Sequence, residues 1–131
     1  MQTQSLTPRS TEAQRDMELI RDLLLKIEAN QQMDRTREYP LGREEISILG
    51  HSDEEIHYHL DLLFDAQYIA GNPKIPTVSG LTMAGHDFLD SIKDPSIWKM
   101  TKQRLADLPG VTLKIFAAVA EAEIIKHLGL K

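Results

Sequence analysis

Apolar residues recur at spacings of three and four along five segments of the chain, which is the pattern of amphipathic α-helices. We predict helices over residues 12–30, 52–67, 82–93, 95–107 and 112–128. Start signals support four of these helices, and for two of them the signal is a candidate N-cap residue, Thr82 or Thr112. Ser52 and Glu55 have the spacing of a capping box, and Asp94 followed by Pro95 is typical of a helix start. The pattern predicts a mainly α-helical protein.

Short segments with strand and turn patterns separate some of these helices. Residues 45–50 alternate apolar and polar positions, which predicts a short strand, with one turn of helix as the alternative interpretation. Residues 39–42 have the composition of a turn. Residues 68–70 are predicted as a strand, the loop 71–80 has glycine at both ends, and Leu81 begins the return strand. We expect a small β-hairpin or sheet.

The order of these elements (helix, short strand, capped helix, strand, loop, strand, helix) is that of a winged helix. Several separated segments also resemble an uncharacterised bacterial and phage family, the domain-of-unknown-function family 2513. These segments are residues 15–28, 55–60, 81–90, 97–98 and 127–131. The resemblance extends over residues 14–131 and implies a winged-helix-like fold and a bacterial or prophage origin. It implies no activity, because none is assigned to the family.

We expect three parts along the chain. They are a flexible N-terminal arm over residues 1–11, a winged-helix-like domain over residues 12–93 and a C-terminal helical extension over residues 94–131. Two residues depart from the resemblance. Met83 stands where an aromatic residue is expected, and Gln67 stands where winged helices usually place a glycine at the end of the capped helix.

Composition and charge exclude some kinds of site and disfavour some kinds of partner. The chain has no cysteine, which excludes disulfides and thiolate metal sites and fits a cytoplasmic location. No apolar run approaches the roughly 20 residues that cross a bilayer, so we expect no membrane contact. The net charge of −5 is uneven, because residues 1–92 carry −8 and residues 93–131 carry +3. The acidic part disfavours contact with nucleic-acid phosphates.

Three histidines, His51, His57 and His59, lie close together in the sequence near two aspartates. Asp53, His57 and Asp61 share one helical face, as metal ligands on a helix must. However, His57 and His59 point to nearly opposite sides of a helix, so the zinc-hydrolase pattern is absent. We favour structural histidines that cover the edge of the core and bond locally, and we expect no metal and no cofactor.

His86 and Asp87 together suggest a catalytic base and the acid that orients it. Adjacent helical residues diverge by about 100°, so these two side chains cannot face each other directly. No serine or lysine motif supplies a setting for a nucleophile, and cysteine is absent. We expect a protein that is not an enzyme.

Two functions stay open, a protein–protein interaction or self-association module and a DNA-binding transcriptional regulator. Residues 52–67, the recognition helix of a winged helix, carry five carboxylates and no Lys or Arg. DNA-binding proteins usually contact phosphates and guanines through Lys and Arg, so we favour the interaction module. The candidate residues for contact with a protein partner are His57, Tyr58, Asp61, His86 and Asp87. The candidate residues for nucleic-acid contact under the alternative are Arg35, Arg37, Arg43, Lys99, Lys102 and Arg104.

Three further features lead to specific expectations. Trp98 lies among cations, where it could stack on bases, but a buried Trp on an amphipathic helix is favoured. Gly85 lies within an apolar helical stripe, which indicates close approach of another backbone or ring. The last helix has its own apolar stripe, formed by Leu113, Phe116, Ala117, Ala120, Ile124 and Leu128. This stripe packs either on the preceding helices or on a second copy, and we favour a homodimer through residues 112–128.

Overall fold

The computed structural model describes residues 15–129, and the predicted N-terminal arm over residues 1–11 lies outside them. The elements in chain order are α1 Met17–Ala29, β1 Tyr39–Pro40, α2 Asp53–Asp65, β2 Ile69–Asn72, β3 Thr77–Leu81, α3 Met83–Ile92, α4 Pro95–Leu105 and α5 Leu113–His127. All five predicted helices are present. The prediction of a mainly helical protein with a small β-sheet is therefore confirmed.

Helix α1 begins where Asp16 caps it. Asp16 Oδ1 accepts hydrogen bonds from the backbone N–H groups of Glu18 at 3.0 Å and Leu19 at 3.3 Å. These bonds satisfy donors that have no partner inside the helix, so α1 starts at Met17. The sequence pattern placed the start at residue 12, and residues 12–14 lie outside the described residues. The apolar side of α1 is buried through Leu19, Ile20, Leu23, Leu24 and Ile27.

The sheet has three antiparallel strands in the order β1-β3-β2. In the hairpin, Ile69 pairs with Leu81, and a bulge interrupts β2. On the other edge of β3, Val78 pairs with Tyr39 of β1. This sheet and the element order are compatible with a winged-helix-like arrangement.

The strand predicted over residues 45–50 is wrong. Residues 43–47 instead form one turn, in which backbone N–H groups donate to carbonyls three and four residues earlier, close to the alternative interpretation. The strand beside the hairpin is β1, in a segment predicted as a turn because it contains Pro40. An edge strand tolerates proline, and Tyr39 is buried there. Six residues that alternate between apolar and polar are too few to distinguish a strand from a helical turn, and here the turn buries Ile46.

The bend between α2 and the hairpin is made without glycine. Gln67 has a φ of 63°, in the left-handed region. Its N–H donates to the carbonyl of Phe64 at 2.9 Å, and the N–H of Tyr68 donates to the carbonyl of Leu63 at 2.9 Å. This is the hydrogen-bond pattern of a Schellman motif. The departure at Gln67 therefore leaves the helix end intact, with some backbone strain.

The described residues form two compact units, the first ending at Gly85 and the second beginning at His86. In the first unit, α1, α2 and the sheet enclose a core that includes Ile20, Leu23, Leu24, Ile56, Leu60, Leu63 and Val78. In the second unit, α4 packs against α5, and the ring centroids of Trp98 and Phe116 are 5.2 Å apart. Within residues 15–129, no helix combines the length and the apolar character needed to cross a membrane.

Candidate interaction surface on helix α2

The outward side of α2 carries three carboxylates at its centre. Glu54, Asp61 and Asp65 fall within an arc of about 40° and all three are exposed. The opposite side of the helix is buried through Ile56, His59, Leu60 and Leu63. We call the outward side, formed by Glu54, His57, Tyr58, Asp61 and Asp65, the α2 face.

The predicted capping box at the start of α2 is confirmed. Ser52 Oγ accepts a hydrogen bond from the Glu55 N–H at 3.1 Å, and Glu55 Oε1 accepts one from the Ser52 N–H at 2.9 Å. The Ser52 N–H holds the pKa of the Glu55 carboxyl below its usual value. The first turn of α2 therefore keeps a negative charge beside the positive end of the helix dipole.

The three predicted partner-contact residues of α2 are neighbours on the α2 face. His57 Nε2 lies 3.9 Å from Asp61 Oδ2, and both side chains are about half exposed. The half-buried Tyr58 ring meets the ring of His59 edge-on, with centroids 5.3 Å apart and an interplanar angle of 88°. A partner that approaches the α2 face thus meets a carboxylate, an imidazole and a phenol side by side.

His59 is buried and links α2 to the start of α1. Its exposed fraction is 2%. Its Nε2 accepts a hydrogen bond from the Asp16 N–H at 2.8 Å, and its Nδ1 donates to the carbonyl of Glu55 at 2.7 Å. A backbone N–H can only donate, so the ring is neutral and carries its proton on Nδ1. The bond to Glu55 agrees with a structural histidine that bonds locally, whereas the bond to Asp16, 43 residues away, was not predicted.

The three neighbouring histidines have separate environments. His57 is half exposed on the α2 face, His59 is buried, and His51 Nδ1 lies 3.6 Å from Glu55 Oε1. Among residues 15–129, no three His, Asp or Glu side chains are arranged to hold a metal ion.

The other two predicted partner-contact residues lie on another helix. His86 and Asp87 are both exposed on α3, in the second unit. The structure therefore brings together three of the five predicted residues on α2 and places the remaining pair on α3.

The first group of cations predicted for DNA contact lies in the connection between α1 and α2. Arg35, Arg37 and Arg43 are exposed there, and Arg43 Nε lies 3.5 Å from Glu45 Oε1. The backbone N–H of Arg35 donates to the carbonyl of Ser79 at 2.7 Å, which fixes this connection beside β3. These cations belong to the first unit but not to α2.

The second group of cations lies on α4. Lys99 is exposed, Lys102 Nζ lies 5.4 Å from the centroid of the Trp98 ring, and Arg104 forms an ion pair with Glu123. Trp98 has an exposed fraction of only 4%, so the interpretation of a buried Trp is confirmed. Its ring has no open face on which a base could stack.

A protein-family model matches the part of the chain that contains most of these elements. The family model described as Hypothetical protein (DUF2513) matches residues 14–112. The chain belongs to this family. The match covers α1 through α4 and ends at Thr112, the N-cap of α5, so α5 lies beyond the matched residues. Neither the curated proteins nor the solved structures gave a match.

Proposed function

We propose that the protein is a non-enzymatic, cytoplasmic interaction module with a winged-helix-like first unit, and that its α2 face binds another protein. The main support for this proposal is the position of three carboxylates on α2. Glu54, Asp61 and Asp65 occupy the centre of the outward side of α2, where a DNA-reading helix places its base-contacting residues. Residues 52–67 contain no Lys or Arg that would offset these charges.

Electrostatics disfavours the alternative of a DNA-binding regulator. Duplex DNA carries one negative charge for about every 1.7 Å of its axis, so a helix with this acidic side is repelled from the major groove. The hairpin loop supplies one cation, Lys74. Of the cations on α4, Arg104 is paired with Glu123 and Lys102 lies over the buried Trp98. The chain therefore offers few cations where a winged helix would need them.

The α2 face fits a protein surface that carries Lys or Arg beside an apolar patch. Tyr58 supplies a rigid ring with a polar end, a side chain enriched in the centres of protein interfaces. Carboxylates around such a ring complement cations on a partner and speed its association. Binding through the α2 face should therefore weaken as salt screens the charges.

The test is a comparison of proteins captured from a lysate of the source cells. Immobilised wild-type chain is compared with Asp61→Lys, which reverses a charge at the centre of the α2 face. Glu44→Lys makes a similar charge change at an exposed position outside the α2 face and serves as the control. We expect a partner that wild type and Glu44→Lys both retain, and that Asp61→Lys or Tyr58→Ala retains at least about tenfold less.

Two results would count against the proposal. One is a set of captured proteins that does not differ between wild type and Asp61→Lys. The other is a partner whose capture falls equally with Glu44→Lys, because the loss would then report net charge and not the α2 face.

A further inference from the structure

One hydrogen bond connects α2 to the residue that precedes α1. The N–H of Asp16 donates to Nε2 of His59 at 2.8 Å. The His59 side chain is buried, with an exposed fraction of 2%, and its Nδ1 donates to the carbonyl of Glu55 at 2.7 Å. Both ring nitrogens are therefore engaged. The bond from Asp16 exists only while Nε2 carries no proton, because a backbone N–H can only donate.

Asp16 also holds the first turn of α1. Its Oδ1 accepts hydrogen bonds from the N–H groups of Glu18 and Leu19, at 3.0 Å and 3.3 Å. The N–H of Asp16 thus bonds to α2, while its carboxylate caps α1. Rotation about the Cα–Cβ bond moves this carboxylate to another staggered position without moving the backbone.

A proton on the imidazole of His59 conflicts with this arrangement. Histidine is the side chain that ordinarily gains or loses its charge between about pH 5 and pH 8. A proton on Nε2 places a donor against the N–H of Asp16, so the hydrogen bond is lost. The imidazolium is also shielded from water, and a buried charge needs an opposite charge beside it. Nδ1 keeps its bond to the carbonyl of Glu55, so the anion has to meet Nε2.

The charged groups around His59 point to Asp16 as this anion. On α2, the Glu55 carboxylate interacts electrostatically with His59, but its Oε1 is bonded to the Ser52 N–H at 2.9 Å and lies 3.6 Å from His51 Nδ1. The Tyr58 ring meets His59 edge-on and is uncharged. At the start of α1 the charged residues are Arg15, Asp16 and Glu18, of which the first and last are exposed. The Asp16 carboxylate belongs to the residue that already contacts Nε2.

We propose that His59 and Asp16 form a pH-sensitive switch at the start of α1. When one proton from water is added to Nε2, the Asp16 carboxylate leaves the N–H groups of Glu18 and Leu19 and pairs with the imidazolium. The first turn of α1 then loses its N-cap and opens. When the pH rises, Nε2 releases the proton to water and the original hydrogen bonds form again.

The switch is separate from the α2 face. His59 lies on the buried side of α2, whereas the α2 face is the outward side of the same helix. The switch requires no binding partner. It is therefore an addition to the proposed function, and either one can fail without the other.

Amide hydrogen exchange of the full chain at about pH 7.5 and about pH 5.5 tests the switch. Rates are expressed as protection factors, which remove the intrinsic effect of pH on exchange. At the lower pH we expect the protection factor of Asp16 to fall at least about tenfold and those of Glu18 and Leu19 about threefold. Leu23 and Leu24, in the middle of α1, should change by less than about twofold. An Asp16 protection factor that is equal at both pH values overturns the proposal.

Three variants assign the response to these two residues. In His59→Gln, the amide oxygen can accept the bond but gains no proton, so the protection factor of Asp16 should change by less than about twofold. His57→Gln removes the half-exposed histidine of the α2 face and should respond as wild type does. Asp16→Asn keeps an N-cap residue without the charge that attracts an imidazolium, so Glu18 and Leu19 should stay protected at the lower pH. A response as large as that of wild type in His59→Gln or in Asp16→Asn overturns the proposal.

The ring nitrogens of His59 give a second measurement that needs no variant. Their NMR chemical shifts in the wild-type chain should report a proton on Nδ1 alone at about pH 7.5, and on both nitrogens as the pH falls to about 5.5. The amide shifts of Glu18 and Leu19 should change with the same midpoint as the ring. A ring that stays neutral over this range, or amides that do not follow it, overturns the proposal.

Discussion

Replacing Gly85 with alanine is expected to lower the free energy of unfolding by about 3 kcal/mol. A Cβ at this position would lie 1.9 Å from the carbonyl oxygen of Tyr68 and 2.9 Å from its carbonyl carbon. The obstacle is backbone, so it cannot rotate away as a side chain could. The close approach predicted from the sequence at Gly85 is confirmed. Equilibrium denaturation in urea measures the loss.

The backbone around Gly85 cannot shift freely, because three hydrogen bonds hold it. The N–H of Thr82 donates to the carbonyl of Tyr68 at 3.0 Å, and Thr82 Oγ1 donates to the carbonyl of Gln67 at 2.6 Å. The N–H of Gly85 donates to Thr82 Oγ1 at 3.0 Å. Displacing the start of α3 to admit a methyl group would stretch these bonds.

A neighbouring residue provides the control for Gly85. Ala84 is exposed one position earlier, so Ala84→Leu should change the free energy of unfolding by less than about 0.5 kcal/mol. Gly85→Leu should destabilise at least as much as Gly85→Ala. If Gly85→Ala unfolds at the wild-type urea concentration, the close approach has no energetic consequence and the interpretation fails.

Replacing His59 with phenylalanine is expected to destabilise the chain by about 2 kcal/mol. Phenylalanine keeps most of the buried volume but accepts no hydrogen bond, so the N–H of Asp16 loses the partner that it has at 2.8 Å. The Asp16 N–H is partly buried, and a donor that is shielded from water and has no partner costs more than the net value of the bond it made. Asp16 also caps α1, so the loss should loosen the first turn of that helix.

Two measurements separate this effect from a general loss of packing. Hydrogen exchange should speed up at the start of α1 in His59→Phe before other parts of α1 are affected. His57→Phe changes the same residue type on the half-exposed α2 face and should stay within about 0.5 kcal/mol of wild type. Equal destabilisation by both substitutions would show that the link from His59 to Asp16 contributes nothing specific.

Features that depend on local chemistry could be predicted from the sequence. The capping box at Ser52 and Glu55 places α2, and the apolar spacing along it predicts which side is buried. The outward position of His57 and Asp61 follows from the same spacing. A glycine inside an apolar helical stripe indicates that another group lies too close for a side chain. At Gly85 that group is the backbone carbonyl of Tyr68.

Features that depend on distant residues could not be predicted. The alternating residues 45–50 were interpreted as a strand. The edge strand of the sheet is instead β1, in which Tyr39 pairs with Val78. The burial of His59 was suggested by its place beside the apolar stripe of α2, but its partner Asp16 is 43 residues away. The exposed side of α5 that carries Ile115 and Ile125 was not predicted, because the opposite side of that helix is apolar as well.

The most direct test of the central claim, that the α2 face binds protein and not DNA, is a titration of the full chain against duplex DNA. Fluorescence anisotropy is measured near physiological salt, with a library of genomic fragments and a random duplex of equal length. We expect no sequence-selective complex tighter than about 1 µM, which is weaker than specific DNA-binding proteins reach. A saturable, sequence-selective complex in the nanomolar range that is lost on His57→Ala or Asp61→Ala would contradict the claim.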